Sequence, residues 1–253
     1  MTPTDSPLAL STALTSRTNA LAVGLEHGAA DLLEMVTPTT AELLHWWFGQ
    51  DMVDARGGLN FHAGQKQAIL NAIVAHEVLG ARSLLDLYQQ VAPDALLAGT
   101  RLAEVSGAKH AHPKYCFKMA TGTGKTWVLQ ALLIWQLLNK TAALAEGLDD
   151  ARFTRQFMVV APGLIVYERL LDAFCGKLVE GGNGSRDFAT SDMALFADLF
   201  IPEAQREAVF AFVRGNVCGK NEIGLKATGN GMIAITNWHL LAEGEGADDV
   251  EEV

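Results

Sequence analysis

The chain has 253 residues, 49% hydrophobic and 19% charged, a globular composition that excludes wholesale disorder and suffices for one large domain, or a domain with an appendage. Lys plus Arg is 19 against 29 for Asp plus Glu, a formal net charge of −10, which excludes a generally basic nucleic-acid coat. Cys116, Cys175 and Cys218 are scattered and form no Cys-x-x-Cys pair, which argues against a disulfide framework or a cysteine zinc site and for a reducing compartment.

The acid excess is concentrated at one end. Glu243, Glu245, Asp248, Asp249, Glu251 and Glu252 stand there with no base among them, as in a solvated tail or surface loop. Met1–Leu10 has no basic segment followed by an apolar run, so no leader is expected. The longest apolar stretch, Trp127–Leu138, is interrupted by Gln130 and Gln136 and falls short of the roughly 20 residues that span a bilayer. The expectation is a soluble, cytoplasmic protein with no membrane partner.

In chain order, Met1–Ser16 is rich in Thr, Ser and Pro and is expected to fray. Leu21, Leu25, Leu32 and Leu33 give a helical pattern over Arg17–Met35, weakened by Gly24 and Gly28. Thr37-Pro38-Thr39-Thr40 reads as a helix start, with Pro early and hydroxyl caps at hand, and the helix runs to Phe48. Past Arg56-Gly57-Gly58, helices are predicted over Ala63–Leu79 and Ala81–Gln90, the second ending before Pro93.

The polar segment Gly99–Pro113 leads to a predicted strand, Lys114–Met119, a turn, Ala120–Gly124, and a helix, Lys125–Leu138. Phe157–Ala161 is an unbroken apolar run, predicted as a buried parallel strand. Pro162-Gly163 ends it, and a helix is predicted over Ile165–Phe174. Gly176–Ser185 reads as a glycine-rich loop, Asp192–Phe200 as helix, Ala208–Val217 as strand and Lys220–Gly231 as a polar hairpin. Met232–Thr236 is a second buried strand. This βαβ order predicts a parallel α/β sheet with right-handed crossovers.

One motif carries chemistry: Met119-Ala120-Thr121-Gly122-Thr123-Gly124-Lys125-Thr126. It is a P-loop with one departure, Met119 standing where the strict pattern has Gly. Gly122 and Gly124 let the backbone curl so that its N–H groups face phosphate oxygens. The loop feeds a helix N-terminus, whose free N–H groups and dipole favour an anion. Lys125 reaches the β- and γ-phosphates, and the Thr126 hydroxyl is a Mg²⁺ ligand.

Lys118 to Thr126 also resembles motif I of superfamily 2 helicases, in the variant of the type III restriction enzyme Res subunits, where Met likewise stands at the place of Met119. Phe61-His62-Ala63-Gly64-Gln65-Lys66-Gln67-Ala68-Ile69 resembles the helix upstream of the P-loop in these enzymes, and the resemblance implies that Gln65 reads the adenine edge. Val159 to Arg169 resembles motif Ia, and Ile233 to His239 resembles the Ile-Thr-Asn-aromatic-His segment. For both, the resemblance implies contact with the nucleic-acid backbone through Pro162, Gly163, Arg169, Thr236 and Asn237. The likeness spans roughly Thr37 to Leu241, and the P-loop is its one highly specific part.

The implied fold is α/β: an incomplete RecA-like P-loop NTPase domain with a parallel sheet, residues 56–253, preceded by a helical N-terminal extension, residues 1–55. The implied cofactors are ATP and Mg²⁺. Thr121, Gly122, Thr123 and Gly124 form the cradle, with Lys125 and Thr126 as its catalytic pair. The implied activity is that of an ATP-driven helicase or translocase on double-stranded DNA, with endonuclease activity in the intact enzyme and a methyltransferase or specificity subunit as partner. Motif II, an Asp-Glu pair after a buried strand, is not found. Asp149-Asp150 and the acidic end follow no apolar strand. The chain is therefore expected to stop short of motif II, to bind ATP–Mg²⁺ and to hydrolyse it poorly. Two alternatives remain at this point: a P-loop small-molecule kinase, whose lid arginines would have to come from scattered positions, and a non-catalytic nucleotide-binding or interaction module.

Lesser features have bland readings. His110 and His112 lie in a loop with no third ligand nearby in sequence. Trp46-Trp47-Phe48 is expected in the core rather than stacked on bases. Trp127 and Trp135 are expected to pack against the sheet, and Cys116 to be an inert core thiol in its strand.

Overall fold

The structure is a computed structural model that describes residues 6–181, 184–219, 222 and 230–239. The acidic end and most of the expected hairpin over 220–231 lie outside the described residues. The chain divides into two compact units: one of Met1–Trp135 with Leu148–Arg152, the other of Gln136–Gly147 with Phe153–Val253.

The first unit is helical. It holds α1 (Ala9–Leu21), α2 (Leu32–Met35), α3 (Pro38–Phe48), α4 (Gln50–Arg56), α5 (Ala63–Ile73), α6 (Leu84–Val91), α7 (Pro93–Leu96), α8 (Arg101–Val105) and the first half of α9 (Lys125–Ala145). The expected fraying before residue 17 is corrected, since α1 is already formed at Ala9 and buries Leu14, Thr18 and Leu21, spaced as on one helical face. The helix expected over Arg17–Met35 is broken. Gly24 and Gly28 are both left-handed and bracket a 3₁₀ turn, Leu25–His27.

At the start of α3 the hydroxyl of Thr37 accepts the Thr40 N–H, and Pro38 fills the first helical position. Leu43, Leu44, Trp47 and Phe48 are buried, and Phe61 meets Trp47 and Phe48 at ring separations of 6.2 and 5.9 Å. Trp47 and Phe48 are core, as the sequence led us to expect, whereas Trp46 is half-buried. A satellite core gathers Tyr88, Ala92, Ala95, Leu96 and Val105, with Ala9, Leu10 and Ala13 of α1 packed on it.

The helix expected over Ala63–Leu79 changes character at its end. α5 stops at Ile73 and a π-helical turn, Val74–Val78, follows. That turn carries Glu77 into the interior, where it is 4% exposed. Three donors meet its carboxylate: the Thr37 N–H at 2.6 Å, the Thr40 hydroxyl at 2.8 Å and the Trp135 indole N–H at 3.0 Å. One buried acid thus ties the entry of α3 and the body of α9 to the end of α5. Trp135, expected against the sheet, is bonded here, with His76 edge-on at 5.5 Å.

The second unit is α/β. A three-stranded parallel sheet has the order β1 (Gln156–Ala161), β5 (Met232–Asn237), β4 (Val217–Cys218). Gln156 lies opposite Met232 and Ala161 opposite Asn237. α10 (Leu164–Cys175) packs on β1 and β5. The expected loop 176–185 contains part of a small antiparallel hairpin, β2 (Lys177–Leu178) with β3 (Arg186–Asp187). Arg186 pins that hairpin to α10 by bonds of 2.6 Å to both Asp172 and Glu168. The unit is completed by α11 (Asp192–Leu195), α12 (Ala197–Phe200) and α13 (Glu203–Asn216).

An incomplete RecA-like α/β domain and a helical N-terminal part, the fold class expected from the sequence, is what these elements make. Three local expectations are corrected. Ala208–Asn216 is helix rather than strand, because Val209, Phe212 and Val213 are buried at helical spacing, and of the expected strand only Val217 joins one, β4. β1 is not buried on both faces, since Met158 and Val160 are 55% and 42% exposed and β1 stands at one end of the described sheet. Lys114–Met119 joins no ladder among the described residues. Its period of two survives only in burial, with Tyr115, Phe117 and Met119 half-buried and Lys114, Cys116 and Lys118 exposed. Cys116 is accordingly an exposed thiol, not a core one.

α9 runs 21 residues, beyond its expected end at Leu138, and is long and apolar enough to cross a membrane by length and composition alone. Half of its most apolar window is buried inside the protein, the pattern of a core helix.

Removing the Glu77 carboxylate leaves its buried donors without an acceptor, so Glu77→Ala is expected to lower unfolding free energy by about 3 kcal/mol. Urea unfolding of the two proteins checks this.

Candidate phosphate-binding site

The phosphate loop is shaped by its own backbone and by α5. Gly122 and Gly124 have φ of 78° and 68°, the left-handed region that a Cβ disfavours. The Thr123 hydroxyl donates to the Ala120 carbonyl at 2.7 Å and closes the turn. Lys125 opens α9, and its ammonium folds back on the same carbonyl at 2.7 Å. Thr121, Gly122 and Lys125 are exposed, whereas Thr123, Gly124 and Thr126 are half-buried.

Gln65 meets this loop from α5. It is 2% exposed. Its Nε2 donates to the carbonyls of Gly124 and Thr123 at 3.2 and 3.4 Å, while its Oε1 accepts the His62 N–H at 3.0 Å. His62 completes the capping box: Nδ1 accepts the N–H groups of Gly64 and Gln65, and Nε2 reaches the Thr123 carbonyl at 3.0 Å. The sequence reading placed Gln65 at the nucleotide, and here it lies against the loop that would hold one. It gave His62 no role. The signal was present in the spacing, a polar cap residue followed three positions later by Gln.

The loop fits a polyphosphate on two observations. A Cβ at Gly124 would collide with Gln65 Nε2, whereas a Cβ at Gly122 would meet nothing within 4 Å, so open space adjoins the loop there. The Trp127 and Val128 N–H groups at the start of α9 bond the Gly124 carbonyl at 3.0 and 3.4 Å, and the helix N-terminus that the loop feeds suits an anion. Mg²⁺ usually keeps several waters and takes only one or two protein ligands beside phosphate oxygens, which Thr126 alone can begin to supply. Among the described residues no group of three or more His, Cys, Asp and Glu comes together to hold a metal. Asp150 is bonded to Arg152 at 2.7 Å.

Tyr115 lies just upstream of the loop. Burial, and secondarily the charge of Asp86, pushes its phenol up to about 12, and the hydroxyl has no hydrogen-bond partner.

The second unit holds the residues expected at nucleic acid. β1 and β5 end flush, with Val160 opposite Thr236 and Ala161 opposite Asn237. Pro162-Gly163 therefore leaves the sheet beside Thr236-Asn237, at the carboxyl edge where open α/β sheets bind ligands. Access differs among them: Pro162 and Arg169 are exposed and Gly163 half-buried, but Thr236 and Asn237 are each 1% exposed. The first turn of α10 offers solvent Leu164 and Ile165, 67% and 75% exposed.

The chain matches the family described as type III restriction enzyme, res subunit, over residues 59–209. The match covers more than half of the sequence, and the chain belongs to this family. It takes in α5, the phosphate loop, β1, α10 and the first half of α13, and stops before β5. A helicase-like, ATP-dependent role follows at the level of the family. Comparison with curated proteins and with solved structures found no match.

Gly124→Ala combines positive-φ strain with the Gln65 collision. It is expected to cost about 2 kcal/mol of stability, against about 1 kcal/mol for Gly122→Ala, where strain acts alone; thermal unfolding compares the two. Tyr115 gives a pH signature. Its folded value lies above the ordinary 10, so its contribution to stability is full below pH 10 and is lost as pH rises through about 12. Tyr115→Phe is expected to flatten that alkaline decline and to leave stability at neutral pH nearly unchanged. Denaturation midpoints from pH 8 upward test it.

Proposed function

We propose that this chain binds ATP–Mg²⁺ through the loop 119–126 and serves as the ATP-binding part of a helicase or translocase acting on double-stranded DNA. The observation that carries the reading is the P-loop poised on α9 with Gln65 buried against it. Lys125 would leave the Ala120 carbonyl for the β- and γ-phosphates, and the Thr126 hydroxyl would take one Mg²⁺ position. The cradle of Thr121, Gly122, Thr123 and Gly124 would present N–H groups to the phosphates. Gln65 would read the adenine edge once its amide exchanges the loop carbonyls for the base.

Turnover by these residues alone is expected to be slight. Phosphoryl transfer needs a positioned metal, water and cations around the γ-phosphate. The sequence contains no Asp-Glu pair, and Asp150 is committed to Arg152. The DNA contacts proposed for Pro162, Gly163, Arg169, Thr236 and Asn237 rest on the family match and on the position of these residues at the carboxyl edge of the sheet. The buried Thr236 and Asn237 would act by shaping that edge. Cytoplasmic location, residues 1–55 as an extension to a domain of 56–253, a methyltransferase or specificity subunit as partner, and nuclease activity in the intact enzyme belong to the same proposal.

Calorimetric titration with MgATP tests the core of it. The wild-type chain is expected to bind, and Lys125→Ala to weaken binding by about a hundredfold, the loss of charge-assisted bonds worth about 3 kcal/mol. Equal binding by the two proteins would remove the loop from the account. Stimulation of any turnover by duplex DNA, and not by small phosphate acceptors, is the expected sign of a translocase rather than a kinase.

A further inference from the structure

Resting on the nucleotide-binding reading, the N-cap residue of α5 has a definable job. His62 is exposed at the N-cap, and its ring has partners on both nitrogens. Nδ1 accepts two backbone N–H groups, from Gly64 at 3.0 Å and Gln65 at 3.3 Å. A nitrogen that accepts from N–H groups carries no hydrogen of its own, so the neutral ring holds its hydrogen on Nε2 and donates it to the Thr123 carbonyl at 3.0 Å. A hydroxyl or carboxamide could cap the helix, but the imidazole places a second polar atom on the phosphate loop at the same time.

This arrangement admits one protonation state. Adding a proton to Nδ1 turns the acceptor into a donor facing two donors, which abolishes the cap. The charged groups on the segments that meet at His62 are Lys66 on α5, and Lys118 and Lys125 flanking the loop. All are cations, so the imidazolium finds no carboxylate on these segments. We propose that His62 is a positioning residue for the phosphate loop that works only as the neutral Nε2–H tautomer, so that protonation loosens the loop and weakens nucleotide binding. The sign is fixed: the grip is held by the neutral ring and lost when the ring takes a second proton, so it weakens toward acid pH.

The test uses the full chain, MgATP as the probe, and His62→Asn, which keeps a capping side chain but does not titrate. Affinity is measured across pH for both proteins, and a thermal transition at each pH confirms that they are folded. The pH dependence of the nucleotide itself is common to both and cancels in their ratio. Wild type is expected to bind about fivefold more tightly than His62→Asn at pH 8, the worth of about one hydrogen bond, with the ratio falling toward one as pH is lowered. Nitrogen shifts of the His62 ring in the nucleotide-free chain are expected to report the Nε2–H tautomer at pH 8. Superimposable pH profiles, or a ring protonated on Nδ1 at pH 8, would overturn this proposal alone. No MgATP binding by the wild-type chain at pH 8 would overturn the nucleotide reading, and this proposal with it.

Discussion

A phosphate loop must turn its N–H groups outward to an anion, and the carbonyls on its other side then need partners. In this chain the carbonyls of Thr123 and Gly124 find them at the start of α5, from Gln65 and the N-cap residue His62. Those bonds brace the turn by which the loop enters α9, beside the bonds of the Thr123 hydroxyl and the Lys125 ammonium to the Ala120 carbonyl. The same two side chains cap α5, so the helix and the loop are ordered together. Because the segment before the loop has no ladder among the described residues, α5 provides the support that strand pairing would ordinarily give.

The other end of α5 repeats the pattern with a different acceptor. A π-helical turn carries Glu77 inward, and the acid gathers donors from the start of α3 and from Trp135 on α9. Burying a carboxylate is expensive unless hydrogen bonds replace its lost water, and here three do. α5 with its π turn therefore holds α9 twice: at the loop before it through amide and imidazole, and further along through the indole. A π turn inserts a residue into the helical register, and this turn ends with the Leu79 N–H on the Val74 carbonyl at 2.9 Å. The start of α3 is thereby tied to the body of α9.

The parts of this arrangement that were legible in the sequence are those fixed by local chemistry. Thr37-Pro38 announced the start of α3, the loop glycines announced their turn, and the apolar runs of β1 and β5 announced a parallel pair. What escaped was set by partners distant in sequence. Tyr115, Phe117 and Met119 alternate like a strand, yet a strand also needs a neighbour, and none is found among the described residues. Val209, Phe210, Phe212 and Val213 favour a strand by type, but burial at 209, 212 and 213 follows one face of a helix. The acid at Glu77 looked like any surface charge on a helix, since only the three-dimensional meeting of Thr37, Thr40 and Trp135 makes it a junction. Gln65 was legible through the family likeness, while its hold on the loop became visible only in the structure.

The central claim is that the loop 119–126, braced by α5, is where this protein holds ATP–Mg²⁺. The most direct measurement is a titration of the isotope-labelled chain with MgATP, following backbone amide resonances. The account predicts saturable shifts that are largest at Gly122, Gly124, Lys125 and Thr126 and extend to Gln65. Saturable shifts elsewhere with the loop amides unmoved, or no shifts at millimolar nucleotide, would contradict it.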